Sequence, residues 1–179
     1  MRYDAGMALP KDYTSQDCSL ARALEVVGER WTLLIVRDAF FGVRRFGDFA
    51  AHLDIPRAVL THRLASLVEE GVLGVAPGAH GRDEYELTAK GLDLWPVIRS
   101  LLIWGDGYYS AKGPRRVYRH ASDNGDIAAD GTCAVCGGVP PVADLVVSPG
   151  PGWSARPGKS DLVTAALASP HRLLTSLRN

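Results

Sequence analysis

A chain of 179 residues can bury a core of its own, or form a compact domain with an appendage, without a disulfide scaffold. Apolar residues make up 46% and charged ones 22%, and 20 basic side chains balance 20 acidic ones, which excludes a protein that coats nucleic acid through bulk positive charge. The longest aliphatic run, WTLLIV, is too short to span a bilayer, and the polar, acidic start MRYDAGMALPKDYTSQD lacks the apolar stretch of a signal peptide, so a cytoplasmic protein with no membrane partner and three reduced cysteines is expected.

In chain order, residues 1–16 read as an N-terminal arm. Asp17 is placed to cap a first helix whose Leu20, Ala23, Leu24 and Val27 recur at helical spacing, with Gly28 as its stop. ERWTLLIVRDAFFG is apolar on most sides and predicts a central, buried helix ending at Gly42. FGDFAAHL offers Phe46, Phe49, Ala50 and Leu53 on one face, enough for about two turns. Asp54 and Ile55 then make a corner, and Pro56 fits the first position of the next helix, where its missing N–H costs no intrahelical bond. In that helix Val59, Leu60, Leu64, Leu67 and Val68 form the buried stripe, leaving Arg57, Thr61 and His62 to project elsewhere before Gly71 ends it.

After Gly71 the period changes from helix to strand. VLGV and EYELT flank APGAHGRD, whose Pro77, Gly78 and Gly81 form turns, and the three segments predict a hairpin with a long tip. Thr88 can cap a further helix in which Leu92, Trp95, Ile98, Leu102 and Trp104 make a stripe broader than one small domain covers. Beyond Gly113 glycine and proline become frequent and runs such as SPGPGWSARPGKS lack any period, so residues 17–112 are expected to form one unit and residues 113–179 an extension, with a short helix through Leu162, Ala165, Ala166 and Leu173 that Pro170 should interrupt.

The fold class expected is α+β: a helical domain with a β-hairpin wing, plus a small irregular, ribbon-like β extension. Helix, corner, helix with a polar leading edge, then glycine-tipped hairpin is the order of a winged helix-turn-helix. A helix of this width fits the major groove of DNA, and its first turns reach base edges and phosphates. Arg45, Arg57, Thr61, His62 and Arg63 are the expected contacts there, with His80 and Arg82 on the hairpin following the neighbouring backbone. The bland alternative for each basic cluster is a solvated face.

Three stretches, CSLARALEVVGERWTLLIVRDAFFGVRRFGDF, IPRAVLTHRLASLVEEGVL and DEYELTAKG, resemble the HxlR-type winged-helix transcriptional regulators over residues 18–109, about half of the chain. The resemblance implies a homodimer that binds double-stranded DNA at an inverted-repeat operator, with helices at the two ends of the winged domain forming the dimer contact. Arg30 stands where the family commonly has lysine and keeps its charge. A broad apolar stripe around Trp95, Leu102 and Trp104 agrees with two-fold association; the alternative is packing against the extension.

Cys18 lies at the start of the first helix, where the positive end of the helix dipole favours thiolate, and in some relatives a cysteine here senses oxidants or electrophiles; the other reading is a small residue packed beneath the dimer helices. CAVCGG, with Cys133 and Cys136, resembles half of a zinc ribbon. Its other half is missing, so zinc requires His120, an aspartate or a second subunit to complete an apparently incomplete site, and a ribbon that folds without metal is the alternative. Trp104, Tyr108, Tyr109 and Trp153, with Tyr118, are candidates to enclose an apolar pocket for a small-molecule effector where the extension folds back. No glycine-rich phosphate loop, nucleophile motif or persuasive carboxylate pair points to an enzyme.

Overall fold

The computed structural model describes residues 13, 15–78, 81–154 and 158–178. Two helices, α1 (Ser19–Val27) and α2 (Thr32–Phe40), lead into the helix-turn-helix pair α3 (Phe46–Leu53) and α4 (Arg57–Glu69). The hairpin β1 (Leu73–Pro77) and β2 (Asp83–Leu87) follows, then the short α5 (Ala89–Leu92) and the long α6 (Trp95–Tyr109). The extension contributes β3 (Arg116–His120), β4 (Leu145–Pro149), α7 (Leu162–Ala166) and β5 (His171–Arg172). The α+β class expected from the sequence is what is observed. No helix among the described residues is long and apolar enough to cross a membrane.

Several boundaries differ from the sequence expectation for local reasons. Cys18, not Asp17, occupies the N-cap of α1, in extended backbone and without a side-chain cap. Pro56 is the N-cap of α4 rather than its first helical residue: its ψ of 132° is extended, so helical geometry begins at Arg57, while the Pro56 carbonyl already accepts from the Leu60 amide at 3.0 Å. The single helix expected from Thr88 onward is two. Thr88 caps α5 by accepting from the Gly91 amide, the chain turns at Asp93 and Leu94, and Pro96 sits in the first turn of α6. In one unbroken helix the Pro96 ring would strike the carbonyl of Leu92, so the sequence makes a new start there.

The wing is a regular antiparallel pair with Leu73 opposite Leu87 and Pro77 opposite Asp83. It is anchored from outside the hairpin, because the Tyr85 amide donates to the Arg44 carbonyl at 2.8 Å. In the extension β4 lies between β3 and β5, all antiparallel, and Asp161 caps α7 through the Thr164 amide. Leu173 is buried behind β5 rather than on a helix, since Pro170 ends the helical run before it.

One core runs through both parts. Ile35, Val36, Phe40, Phe49 and Leu60 are fully buried in the helical part, and Val147 and Val163 in the extension. Trp95 joins them, with its ring centroid 5.1 Å from that of Phe40 and 5.4 Å from that of Tyr118 on β3. Burial pushes the Tyr118 phenol up to about 12, despite the nearby Arg99, Arg37 and Arg116 guanidiniums. The last residues are latched to the end of α2: the Leu174 amide donates to the Phe40 carbonyl at 2.8 Å and the Leu177 amide to that of Gly42 at 3.4 Å. Gly42 permits this approach, for its φ is +86° and a Cβ there would meet the Thr175 carbonyl oxygen at 1.8 Å.

Candidate nucleic-acid interface

The corner between α3 and α4 is built by Asp54, in left-handed backbone at φ 54°, and by Ile55, whose side chain is buried. Leu60, Leu64 and Leu67 pin one side of α4 to the core. Their spacing leaves Arg57, Ala58, Thr61, His62 and Ala65 exposed along the opposite side, two small residues among three polar ones. These residues are open to solvent, which is what entry into a groove requires.

The expected contact residues fall into distinct settings. Arg57 is exposed and lies over the Phe46 ring of α3, 4.8 Å from its centroid. The Thr61 hydroxyl donates to the Arg57 carbonyl at 3.0 Å, a bond a base or phosphate can replace, and His62 is exposed. Arg63 sits at the edge of the buried stripe and pairs with Glu29 at 2.9 Å, so it braces α4 against the corner between α1 and α2 instead of sharing the exposed face. Arg45, the N-cap of α3, is held by Glu84 of the wing at 3.0 Å. Arg82 is exposed at the hairpin tip; His80 lies outside the described residues.

The aromatic residues expected to enclose a pocket separate. A cleft of about 580 Å³ does lie between the helical part and the extension, and Trp153 lines it together with Trp31 and Phe41. Trp104 and Tyr108 do not. They lie on the side of α6 opposite Trp95 and Ile98, where Val97, Leu101, Trp104 and Tyr108 form an exposed stripe and the Trp104 ring meets that of Tyr108 at a tilt and that of Tyr109 edge-on. Tyr109 instead borders, with Trp153, a smaller groove of about 280 Å³. The larger cleft is also not simply apolar: Arg37, Arg116, Lys159 and His52 line it. Arg116 crosses the Trp153 ring at 5.5 Å and donates to the Leu167 carbonyl, while burial and the neighbouring Arg37 weigh against its charge. These cationic residues carry no sequence pattern, because they come from α2, α3, β3 and a loop that only the folded chain brings together.

Cys18 is exposed at the N-cap of α1. Cys133 and Cys136 do not stand alone as half a ribbon: His120 and Asp123 converge on them. His120 is a partner the sequence already offers, and the His-x-x-Asp spacing ten residues before Cys-x-x-Cys is the signal that singles out Asp123 as the aspartate.

Two helices meeting at a tight corner, an exposed polar edge on the second and a β-hairpin beside it define a winged helix-turn-helix protein. The sequence profile of the HxlR-like helix-turn-helix family matches residues 26–113. The HTH-type transcriptional regulator Rv3095 of Mycobacterium tuberculosis is 45% identical over 141 residues, 77% of this chain and 89% of that protein. YdeP of Bacillus subtilis, another HTH-type transcriptional regulator, is 30% identical over 118 residues, 63% of this chain and 92% of that one. The solved structure of PA1607 matches with a TM-score of 0.56 at 34% identity, covering 82% of this chain and 94% of that one. The chain belongs to the HxlR-like helix-turn-helix family and is a DNA-binding transcriptional regulator.

Proposed function

We propose that this regulator acts as a homodimer that reads an inverted-repeat operator, with α4 of each protomer entering one of two successive major grooves. The observation that carries this reading is the exposed edge of Arg57, Thr61 and His62 on a helix whose other side is locked into the core. Arg57 supplies a forked donor suited to guanine, and Arg82 on the wing supplies a phosphate contact. Association is supported by the stripe Val97, Leu101, Trp104 and Tyr108 on α6 and by Leu20 and Leu24 on α1, all exposed in a single chain. Selecting binding sites from a random DNA pool tests this directly. Enrichment of an inverted repeat is the expected result, and enrichment of a single half-site, or of none, overturns it.

A second reading, compatible with the first, makes the cleft an effector site. Its lining suits a small molecule with an aromatic or apolar body against Trp31, Phe41 and Trp153 and an anionic group toward Arg116, Arg37 being already paired with the buried Asp38. Lys159, also in the lining, pairs with Asp54, at 2.6 Å, in the corner that orients α4. A ligand that draws Lys159 toward itself therefore has a route to DNA affinity, provided it binds one corner geometry better than another. Thermal-shift measurements with aromatic carboxylates should find stabilisation that survives Arg57→Ala and is lost in Arg116→Ala; stabilisation equal in all three proteins, or in none, removes the reading. Cys18, exposed at a helix start, remains the candidate for a redox signal, and release from DNA by peroxide or quinone that persists in Cys18→Ser would exclude it.

A further inference from the structure

We infer that the extension holds a structural zinc ion, bound by His120, Asp123, Cys133 and Cys136. One donor atom from each lies within 4.8 Å of the other three. Tetrahedral zinc with bonds to sulfur of about 2.3 Å sets its two sulfurs about 3.8 Å apart, so the four donors need only a small contraction onto an ion. Two sulfurs, one imidazole nitrogen and one carboxylate oxygen form a set that suits zinc and discriminates against magnesium and calcium.

The backbone is already shaped around the donors. His120 ends β3, and the following turn brings Asp123 back beside it: the Asn124 amide donates to the His120 carbonyl, and the Asp123 carboxylate accepts from the Gly125 amide at 2.8 Å. The cysteines sit on a knuckle closed by two reciprocal bonds, from the Cys133 amide to the Gly138 carbonyl and from the Gly137 amide to the Cys133 carbonyl. The Val135 amide points at Cys133 Sγ, 3.4 Å away, where it stabilises a thiolate. Gly125 keeps the centre open, because a Cβ there would lie 2.4 Å from Cys133 Sγ.

The histidine is oriented for the same purpose. Its Nδ1 is 3.0 Å from Asp123 Oδ2 and 3.6 Å from Cys136 Sγ, so Nδ1 faces the donors, and the Ser122 hydroxyl lies beside the ring, 2.9 Å from Nε2 and 3.3 Å from Nδ1. Without an ion, the Cys133 thiol donates to Asp123 at 3.3 Å. Binding of Zn²⁺ replaces that proton and the one on Cys136, releasing both and leaving a site of net charge minus one. All four positions are filled by protein, so the ion has no open position for chemistry and acts as a staple. It ties the end of β3 to a loop whose Ile127 is buried in the core and accepts from Arg99 of α6.

The test uses the full chain purified without a histidine tag. Metal analysis after dialysis against a mild chelator should find one zinc per wild-type chain, retained in Cys18→Ser and lost in Cys136→Ser and Asp123→Asn. Both side chains are at the surface or beside it, and circular dichroism checks that the variants fold. Loading wild-type protein with Co²⁺ gives a second readout: tetrahedral d–d bands with thiolate-to-cobalt charge transfer, the latter weakened in Cys136→Ser. A wild-type protein without zinc whose Co²⁺ spectrum is octahedral, or a Cys133–Cys136 disulfide in protein handled under reducing conditions, overturns the assignment.

Discussion

Arg57 lies across the face of Phe46, its guanidinium carbon 4.8 Å from the ring centroid, so the first residue of α4 is braced by the first residue of α3. A cation held over an aromatic ring keeps its charge and its donors while losing much of its freedom. The helix-turn-helix thus presents a guanidinium already ordered before DNA arrives, and less entropy is lost when it binds.

From this arrangement the three arginines are expected to differ. Arg57→Ala should weaken operator binding by roughly 1 to 3 kcal/mol and relax the preference at one base pair. Arg82→Ala should weaken all sequences alike and reduce the salt slope by about one. Arg63→Ala should cost less operator affinity than Arg57→Ala and instead lower stability by up to about 1 kcal/mol, because its partner is Glu29. Fluorescence anisotropy across a salt series, with urea unfolding alongside, separates the three.

The exposed stripe on α6 predicts a clean separation of folding from assembly. Leu101→Asp and Trp104→Arg alter side chains that are about half exposed in one chain, at 46% and 55%, so the folded protein should persist. Sedimentation should then report a monomer, and operator affinity should fall by roughly a hundredfold as paired half-sites are lost. A dimer that survives both changes would place the two-fold contact elsewhere.

The extension should loosen in acid. Burial alone would raise the Asp161 carboxyl, but hydrogen bonds from the Thr164 hydroxyl and amide, with His52 of α3 at 3.1 Å, outweigh it and hold the group below the ordinary carboxylate range. A carboxyl depressed in the folded state adds stability above its unfolded value of about 3.9, and that contribution fades as pH falls through the folded value. Wild type should therefore exceed Asp161→Asn in Tm at neutral pH, with the two curves converging as pH falls below the ordinary carboxylate range. Parallel curves would show that the link between α3 and α7 carries no charge.

Trp95 touches Phe40 of the helical part and Tyr118 of the extension. Trp95→Ala should cost about 3 to 5 kcal/mol, as large aromatic truncations in cores do. In the wild-type protein, tryptophan fluorescence and proteolysis of the extension should report the same urea midpoint, since the core is continuous. Two separate midpoints would make the extension an independent unit.

Periodic burial is where sequence and structure agree most closely. The Leu60, Leu64 and Leu67 stripe, the Phe46 to Leu53 helix and the alternating wing are local patterns, and local patterns survive folding. What was hidden is relational. Arg63 belongs with the polar leading edge in sequence, yet it falls beside the buried stripe because residue 63 is three after Leu60 and four before Leu67, within reach of Glu29. Trp104 reads as part of the Trp95 stripe, but nine residues of helix rotate it onto the outer face. His120 and Asp123 join two cysteines only because a turn and a knuckle meet, and the cationic lining of the cleft comes from four separate segments.

The latch between the end of α2 and residues 174–177 has a consequence for synthesis. Helices α1 to α4 leave the ribosome first, yet Phe40 and Gly42 receive their backbone partners only after Leu174 and Leu177 are made. Contacts that distant in the chain close late and slow the search for the native state. The nascent reading head therefore gains these two backbone partners only once residues 174–177 have been made, and a chain lacking them would leave the Phe40 and Gly42 carbonyls to find other donors.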